Sequence, residues 1–537
     1  MLENANRRMM IPMMVLAVVV SSLSVWAASN SSAITGVVKD ASGEPAVGAI
    51  VSAKNIERGI TTTVFSQEHG RFNLPNLAPG KYTVRGTGGG LQTDGKETVD
   101  VVASKKMTVN LALTAPQNYR EASTGARDLE LLPEGEGKSF IQAKCSLCHR
   151  AVFQEILLSR KDKNGWMEAL AKMRNHPYGY TGSLDITDQE RDMVVEYLAK
   201  NLNLDVPPLD QQRYLPKTWV KGAAAKSIIV EFDLPKGAYP HDVTMDSQGI
   251  LWVSERDLGY IGRLDPASFS YTRTRVPGEN VRLTDAIAVD AKGHPWVVDA
   301  RNNSVFEYNP ETKKFTEFSG DKGPGNPVKG LSANTMRFLP DGTAWFTEVG
   351  ASKVVRLDPA TRQFTEFLPK SPGRMGPYGL AVDGAGMIWF PEQLGNKVGR
   401  INPKTGEVSE YDPPTPNAIP RRMGEDAAGN PWFSEFGAGN LVRIDYRTGK
   451  MTEYPTPTKY SGPYGVEADK TRNLIWVSEC LADQMARFDP RTKTWVEYPL
   501  PEHYLSIRKI SVDPKQPNRV WFGESFKDRV GYVEVIQ

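Results

Sequence analysis

Two thiols and an imidazole fall within five consecutive residues, Cys145-Ser146-Leu147-Cys148-His149. On a helix, positions i, i+3 and i+4 share a face, so both sulfurs and the ring would project to one side. Thiols at this spacing can add across the two vinyl groups of haem while the adjacent ring nitrogen ligates the iron. The chain has three Cys and six His in all, and chance would produce on the order of 10⁻⁴ such matches at that composition. The competing readings are a redox dithiol and half of a zinc site, but no second Cys pair or HxxxH completes a metal shell. The spacing therefore predicts one covalent haem c, tethered by Cys145 and Cys148, with His149 on the iron.

For the sixth iron position, Met173 ends a predicted helix just before the loop at 174–186. A thioether there raises the reduction potential and suits electron transfer. His176, in Asn175-His176-Pro177-Tyr178, is the competing ligand, and an open position is the third choice. Met167 and Met193 lie on faces that read as core, where methionine fills gaps.

Helices must position these groups. A helical stretch runs through Phe140 and Ile141 into the Cys pair, and Gly165 to Met173 reads as a second helix. Thr187-Asp188-Gln189-Glu190 is a capping box, followed by the apolar stripe Met193, Val194, Tyr197 and Leu198. Between Pro116 and Leu132 the chain is polar and irregular, as a linker would be. The order CxxCH, Gly-Trp helix, Met, loop and a final helix ending in Tyr-Leu resembles small c-type cytochrome domains over residues 134–203. That resemblance implies a small all-α unit that carries electrons.

Residues 34–113 read as strands, with turns at Ser42-Gly43-Glu44-Pro45, Glu68-His69-Gly70 and Ala78-Pro79-Gly80 between apolar runs. A stretch of this kind fits a β-sandwich. The text GVVKDASGEPAVGAIVSAKN followed by GRFNLPNLAPGKYTV resembles the carboxypeptidase regulatory-like domain, a prealbumin-like fold. The resemblance implies an accessory or docking module without a catalytic group. His69, in a turn with no companion ligand, reads as a solvated loop residue.

After the proline-rich linker 204–217, self-similarity dominates residues 227–537. An anchor Trp recurs at 252, 296, 345, 389, 432, 476 and 521, spaced 43 to 45 residues apart except for one interval of 49 that holds the Gly- and Pro-rich insertion 319–329. Short strands at this period predict a β-propeller, here of seven blades. The last repeat stops at Val535, and the strand it lacks is found at Ile229 to Pro235, so one blade is predicted to be shared between the two ends of the domain.

A propeller is a scaffold, and function is sought where its repeats differ. Five residues before the Asp of each central turn stand His241, Asp285, Met336, Tyr378, Arg421, Tyr464 and Arg508. They are predicted to ring the channel mouth, a composition suited to an anionic or polar ligand. Three residues after each Trp stands an acid: Glu255, Asp299, Glu348, Glu392, Glu435, Glu479 and Glu524. Its recurrence points to blade building, with Arg263, Arg356, Arg400, Arg443 and Arg487 on the next strand as expected partners.

The repeat text GPYG with D-x-x-G, IWF-x-E and NKVGRI resembles the virginiamycin B lyase (streptogramin lyase) propeller family over 227–537. The resemblance implies elimination that opens a cyclic depsipeptide, with histidines of Pro-His motifs, a Glu and a divalent metal, Mg²⁺ on this reading. Only Tyr239-Pro240-His241 keeps a Pro-His, Tyr239 replaces the Glu, and His294 and His503 fall in turns outside the ring. His241 is thus the one catalytic candidate, and a base needs an acid or metal opposite it.

Arg7 and Arg8 precede an apolar run from Met9 to Val20, with a cleavage site expected after Ala27. The run is too short to span a bilayer, which needs about twenty apolar residues, and reads as a signal peptide over 1–27. Export, as to a periplasm, agrees with covalent haem. With Cys145 and Cys148 committed, Cys480 has no partner for an intrachain disulfide. A net charge of +2 without any basic block argues against a nucleic-acid partner.

Three functions follow from these readings. The leading one is an exported haem protein acting in electron transfer, as part of an oxidoreductase whose propeller binds a substrate or partner, with a redox protein or small molecule as donor or acceptor. The second is a lyase centred on His241 with Mg²⁺. The third is an envelope ligand-binding protein.

Overall fold

The computed structural model describes residues 32–116, 122–147, 153–175, 186–207, 210, 215, 219–319 and 333–536. The signal segment, Cys148, His149, His176 and nearly all of the insertion at 319–329 lie outside the described residues. The architecture is mainly β: a β-sandwich-like unit, a helical segment and a propeller.

Alternation of apolar and polar residues builds the first unit. Along the strand Arg71–Leu74, Phe72 and Leu74 are buried while Arg71 and Asn73 are exposed. They join Ile34, Val51, Tyr82, Val84, Leu111 and Leu113 in one core. His69 is exposed in its turn, as predicted.

Six of the seven repeats form separate four-stranded antiparallel sheets. The prediction of seven blades is corrected to six, because the strands of the last repeat belong to a 13-stranded sheet shared with the sandwich. Its strands Ile507–Val512, Arg519–Glu524 and Arg529–Val535 are completed by Ser227–Asp233, paired from Ser227 opposite Val535 to Asp233 opposite Arg529. The outer edge of Ser227–Asp233 is then taken by the sandwich strand Ile60–Phe65, with Ile229 opposite Thr63 and Phe232 opposite Ile60. An exposed strand edge presents unpaired N–H and C=O groups, and here the sandwich satisfies them. Backbone N–H of Val220 donates to Gly48 O at 3.0 Å, and Arg85 pairs with Glu502 at 2.9 Å.

The recurring Asp and Trp build each central turn. In the first repeat Asp246 Oδ1 accepts from the backbone N–H of Gln248 and Ile250, and Oδ2 accepts from Trp252 Nε1 at 2.8 Å. Gly249 takes a φ of 81°, the left-handed conformation that makes D-x-x-G a turn. Trp389 with Asp383 and Trp432 with Asp426 repeat the bond.

The expected pairing of the recurrent acids with arginines is corrected. Arg263, Arg356, Arg400, Arg443 and Arg487 stand directly opposite Trp252, Trp345, Trp389, Trp432 and Trp476. Side chains alternate along a strand, so an acid three positions after Trp faces the other side of the sheet from those arginines. All seven acids are buried, and they bond locally: Glu255 accepts from Tyr271 Oη at 2.7 Å, Glu435 from Asn440 Nδ2 at 2.8 Å, and Glu524 pairs with Arg529 at 2.9 Å. The blade-building role fits this arrangement with different partners.

Among the described residues the helical segment has five α-helices: α1 (Gly125–Leu131), α2 (Glu136–Ala143), α3 (Phe153–Leu158), α4 (Lys163–Asn175) and α5 (Asp188–Asn201). Helix α1 lies in the stretch expected to be a linker. It is capped by Thr124 and buries Leu129 and Leu131. The capping box of α5 forms as predicted, with Thr187 Oγ1 accepting from Glu190 N–H at 3.2 Å and Glu190 Oε2 accepting from Thr187 N–H at 2.9 Å. Helices α2 and α5 pack where Gly137 meets Tyr197, so closely that a Cβ on Gly137 would lie 2.1 Å from Tyr197 Cγ.

This segment is a cap on the propeller and not a separately packed domain. Its apolar cluster, with Ile141, Phe153, Trp166 and Val194, continues into Tyr378, Phe436, Tyr464 and Leu481 of the propeller. Backbone N–H of Ala126 donates to Leu481 O at 2.7 Å, and Gln142 Nε2 donates to Gly437 O at 2.6 Å.

Candidate ligand site at the propeller mouth

Innermost strands of the propeller bring the variable positions together, with one correction. In the third repeat the turn is closed by Leu339, whose N–H bonds Thr343 O as Asp246 N–H bonds Ile250 O. Counting from Asp341 therefore misplaced the register by two residues. Asn334, and not Met336, stands at the mouth; Met336 is a core residue packed opposite Phe346. The misleading signal was a substitution: Leu339 occupies the Asp position and Thr343 Oγ1 takes over the bond from Trp345 Nε1 at 3.0 Å.

His241, Asp285 and Asn334 form a chain across three repeats. His241 Nε2 lies 3.2 Å from Asp285 Oδ1, and Asn334 Nδ2 donates to Asp285 Oδ2 at 2.9 Å. The other ring nitrogen, His241 Nδ1, lies 3.0 Å from Asp242 Oδ1. Arg256 Nη1 is 3.3 Å from Asp285 Oδ1.

One layer deeper, Asp242, Thr335, Arg422 and Lys509, each directly after a mouth residue, come together. Arg422 grips Asp242 with two bonds, Nη2 to Oδ1 at 2.8 Å and Nη1 to Oδ2 at 3.1 Å, and Nη1 also donates to Thr335 Oγ1 at 2.8 Å. Burial pushes the Asp242 carboxyl up to about 6, despite the opposing pull of Arg422 and Lys509. Lys509 lies 4.0 Å from Asp242 Oδ2, and burial lowers its ammonium to about 8 against the support of that carboxylate. Sequence reading missed Asp242, Arg422 and Lys509; the signal was present, because each follows a predicted mouth residue directly.

On the other side of the mouth, Tyr378 and Tyr464 hydrogen-bond through their hydroxyls. The Arg421 guanidinium carbon lies 4.4 Å from the Phe436 ring centre, 4.5 Å from Tyr464 and 5.2 Å from Tyr378. Arg508 Nη2 donates to Tyr239 Oη at 2.8 Å. Tyr239, which replaces the Glu implied by the lyase resemblance, thus holds an arginine.

Of the haem-ligating candidates, Cys145 and Met173 lie among the described residues, both in the cap. Helix α2 ends at Ala143 and Cys145 opens a 3₁₀ turn, Cys145–Leu147, in place of the continued α-helix that was predicted. Cys145 is half-buried against the cap's apolar cluster. Met173 is 41% exposed near the end of α4, off that cluster, whereas Met167 and Met193 pack against it. A soft sulfur donor, Cys145, bordering an apolar cluster is chemically suited to tethering a haem.

His294 and His503 remain outside the ring. Asp290, His294 and Glu307 hold ligand atoms within 4.8 Å of one another. Asp290 is, however, the turn-building acid of its repeat, bonded to Trp296 Nε1 at 3.1 Å. Burial lowers the half-buried His503 imidazole to about 4.

Comparisons with known proteins agree with the two β units. Residues 33–114 match the model of the carboxypeptidase regulatory-like domain, and residues 284–537 match that of the virginiamycin B lyase family. These matches leave the helical cap between them uncovered. A streptogramin B lyase structure aligns with a TM-score of 0.53 and 23% identity, covering 59% of this chain and 100% of that one. The virginiamycin B lyase of Staphylococcus aureus aligns at 0.51 and 20%, covering 57% and 99%. At these identities the likeness shows the fold alone. No curated protein matches the chain.

Proposed function

We propose that this is an exported c-type haem protein in which the cap carries the haem and the propeller mouth binds the molecule or partner that exchanges electrons with it. Cys145 and Cys148 would tether the haem, His149 would ligate the iron, and Met173 would complete it, with His176 as alternative. The group supplies one-electron chemistry when bound. The chain's own residues do the rest: α2 and α5 pack through Gly137 and Tyr197, and α1 ties the cap to Leu481.

One observation carries the reading. Gln142, one residue before the end of α2 and three before Cys145, donates to Gly437, whose neighbour Phe436 walls the Arg421 side chain. The end of α2, which leads into Cys145, and the variable mouth of the propeller therefore share an interface. Mature protein should show a peptide spanning 145–149 with a haem on both sulfurs by mass spectrometry, and anaerobic addition of a true donor should reduce its visible bands. Two free thiols after expression with haem-maturation machinery would refute the proposal.

The lyase reading has the propeller's likeness in its favour and the chemistry of the site against it. His241 is buried between two carboxylates, with Arg256 and Arg422 bonded to those same carboxylates. Among the described residues no second histidine joins it, and cations in those positions oppose a divalent metal.

A further inference from the structure

We infer that the propeller mouth beneath the cap is a binding site for a small carboxylate gripped side-on by Arg421, an inference that rests on reading the mouth as the ligand-binding part of the protein. Arg421 is fully buried. Its guanidinium is flanked by the rings of Phe436, Tyr464 and Tyr378, and Nη1 is 3.4 Å from Tyr378 Oη. The remaining donors, Nε and Nη2, have no hydrogen-bond partner among the described residues. Those two N–H groups form the parallel fork that meets both oxygens of a carboxylate. Arg508 adds a further donor: its Nε and Nη2 are engaged by Ser506 and Tyr239, and Nη1 is unpartnered.

Charge leads to the same ligand. Arg256, Arg421, Arg422, Arg508 and Lys509 surround the mouth; Asp242 and Asp285 pair with members of this group, and Asp257 and Glu467 add negative charge near Arg256 and Lys509. Burying guanidinium groups without a counter-charge is costly, and an incoming anion offsets the excess. Burial lowers Lys509 to about 8, Asp242 and Glu467 oppose the shift, and Arg422 and Arg337 add to it.

The cap's described contacts fall on the third to seventh repeats, at Val349, Tyr378, Ile419, Phe436, Leu481 and Tyr504. Away from those described contacts, the side chains of Arg256 and Asp285 keep 16% and 17% exposure among the described residues. A carboxylate entering between the first two repeats would meet Arg508 and Arg421 under the cap.

The test uses the full-length mature protein and succinate as probe, titrated calorimetrically against wild type, Arg421→Gln and Arg508→Gln, with phosphate at equal ionic strength as comparison. The expected result is succinate binding that weakens tenfold or more in Arg421→Gln and less in Arg508→Gln, at unchanged near-ultraviolet circular dichroism. Arg421→Lys, which keeps the charge and loses the fork, should fall between wild type and Arg421→Gln and serves if the Gln variant does not fold. A haem propionate is the other source of a carboxylate: it would support the inference if wild type ignores succinate while the haem midpoint potential falls in both Arg variants. Succinate affinity unchanged by Arg421→Gln, a preference for phosphate, or neither binding nor a potential shift would overturn it. The succinate titration reads the site whether or not the protein holds haem, so failure of the haem proposal leaves this result intact.

Discussion

Glu435 links the propeller's stability to pH. Its carboxyl is fully buried, accepts from Asn440 Nδ2 at 2.8 Å and sits near Glu453, which accepts the N–H of Thr415. Burial first, and then the charge of Glu453, raises it from 4.5 to about 8. The folded protein thus holds a proton that the unfolded chain releases near 4.5. The stability this group contributes is fully present below that value, declines as pH rises toward about 8, and is flat beyond. At about 1.36 kcal/mol per pKa unit the ceiling on this loss is about 5 kcal/mol, of which relaxation and water entry recover part. Even half of that moves the midpoint of the propeller's thermal transition by about 5 °C or more, at roughly 2–4 °C per kcal/mol. Glu435→Gln keeps a neutral acceptor for Asn440 and has nothing to ionise. Scanning calorimetry of both proteins at about pH 6 and pH 9 should show the variant losing less stability across the interval. Equal losses would show that Glu435 is not protonated in the fold, and would refute the reasoning.

Other consequences are open to direct measurement. Arg422→Ala strips Asp242 of its bidentate partner inside the channel, and breaking a buried pair costs about 3–5 kcal/mol; Asp242→Asn added to that variant should restore part of it in urea unfolding. Gly137→Val would drive a side chain into Tyr197, an overpacking that costs about 1–3 kcal/mol, and should open the cap to limited proteolysis while the propeller stays resistant. Thr187→Ala removes one half of the α5 capping box and should cost about 1 kcal/mol, read as earlier exchange of the amides in that helix. Thr62→Pro, in a strand paired to Val230 on one side and to Ala53 on the other, should weaken the sheet that joins the sandwich to the propeller, because proline cannot donate to the ladder; small-angle scattering that shows no expansion would count against the shared sheet as the tie between them.

Local chemistry was legible in the chain. The Asp-to-Trp spacing, the D-x-x-G turns and the Thr187 capping box are interactions within a few residues, so the sequence that encodes them also reveals them. Strand pairing between Ser227–Asp233 and Arg529–Val535 was also readable, because a repeat with a missing strand leaves a matching orphan elsewhere. Register was less secure: where Leu339 replaced the Asp, the count slipped from Asn334 to Met336. The arginine partners were assigned across a pleat that alternates faces, and went to Trp in place of Glu.

What no local pattern contained was which surfaces meet. Helix α1 is short and carries too few apolar positions to show a period, and its reason for folding is the propeller face it covers. The last repeat lost its independence because its outer strand edge met the sandwich. Arg421, read from sequence as one member of a ring, became a clamp only when Phe436, Tyr464 and Tyr378 from three repeats closed around it. The chain alone determined the turns, the repeats and the thiols with their imidazole, since these are fixed by neighbours along the backbone. Tertiary structure decided where the cap sits and which charges are left without partners, since burial and counter-charge depend on residues hundreds of positions apart.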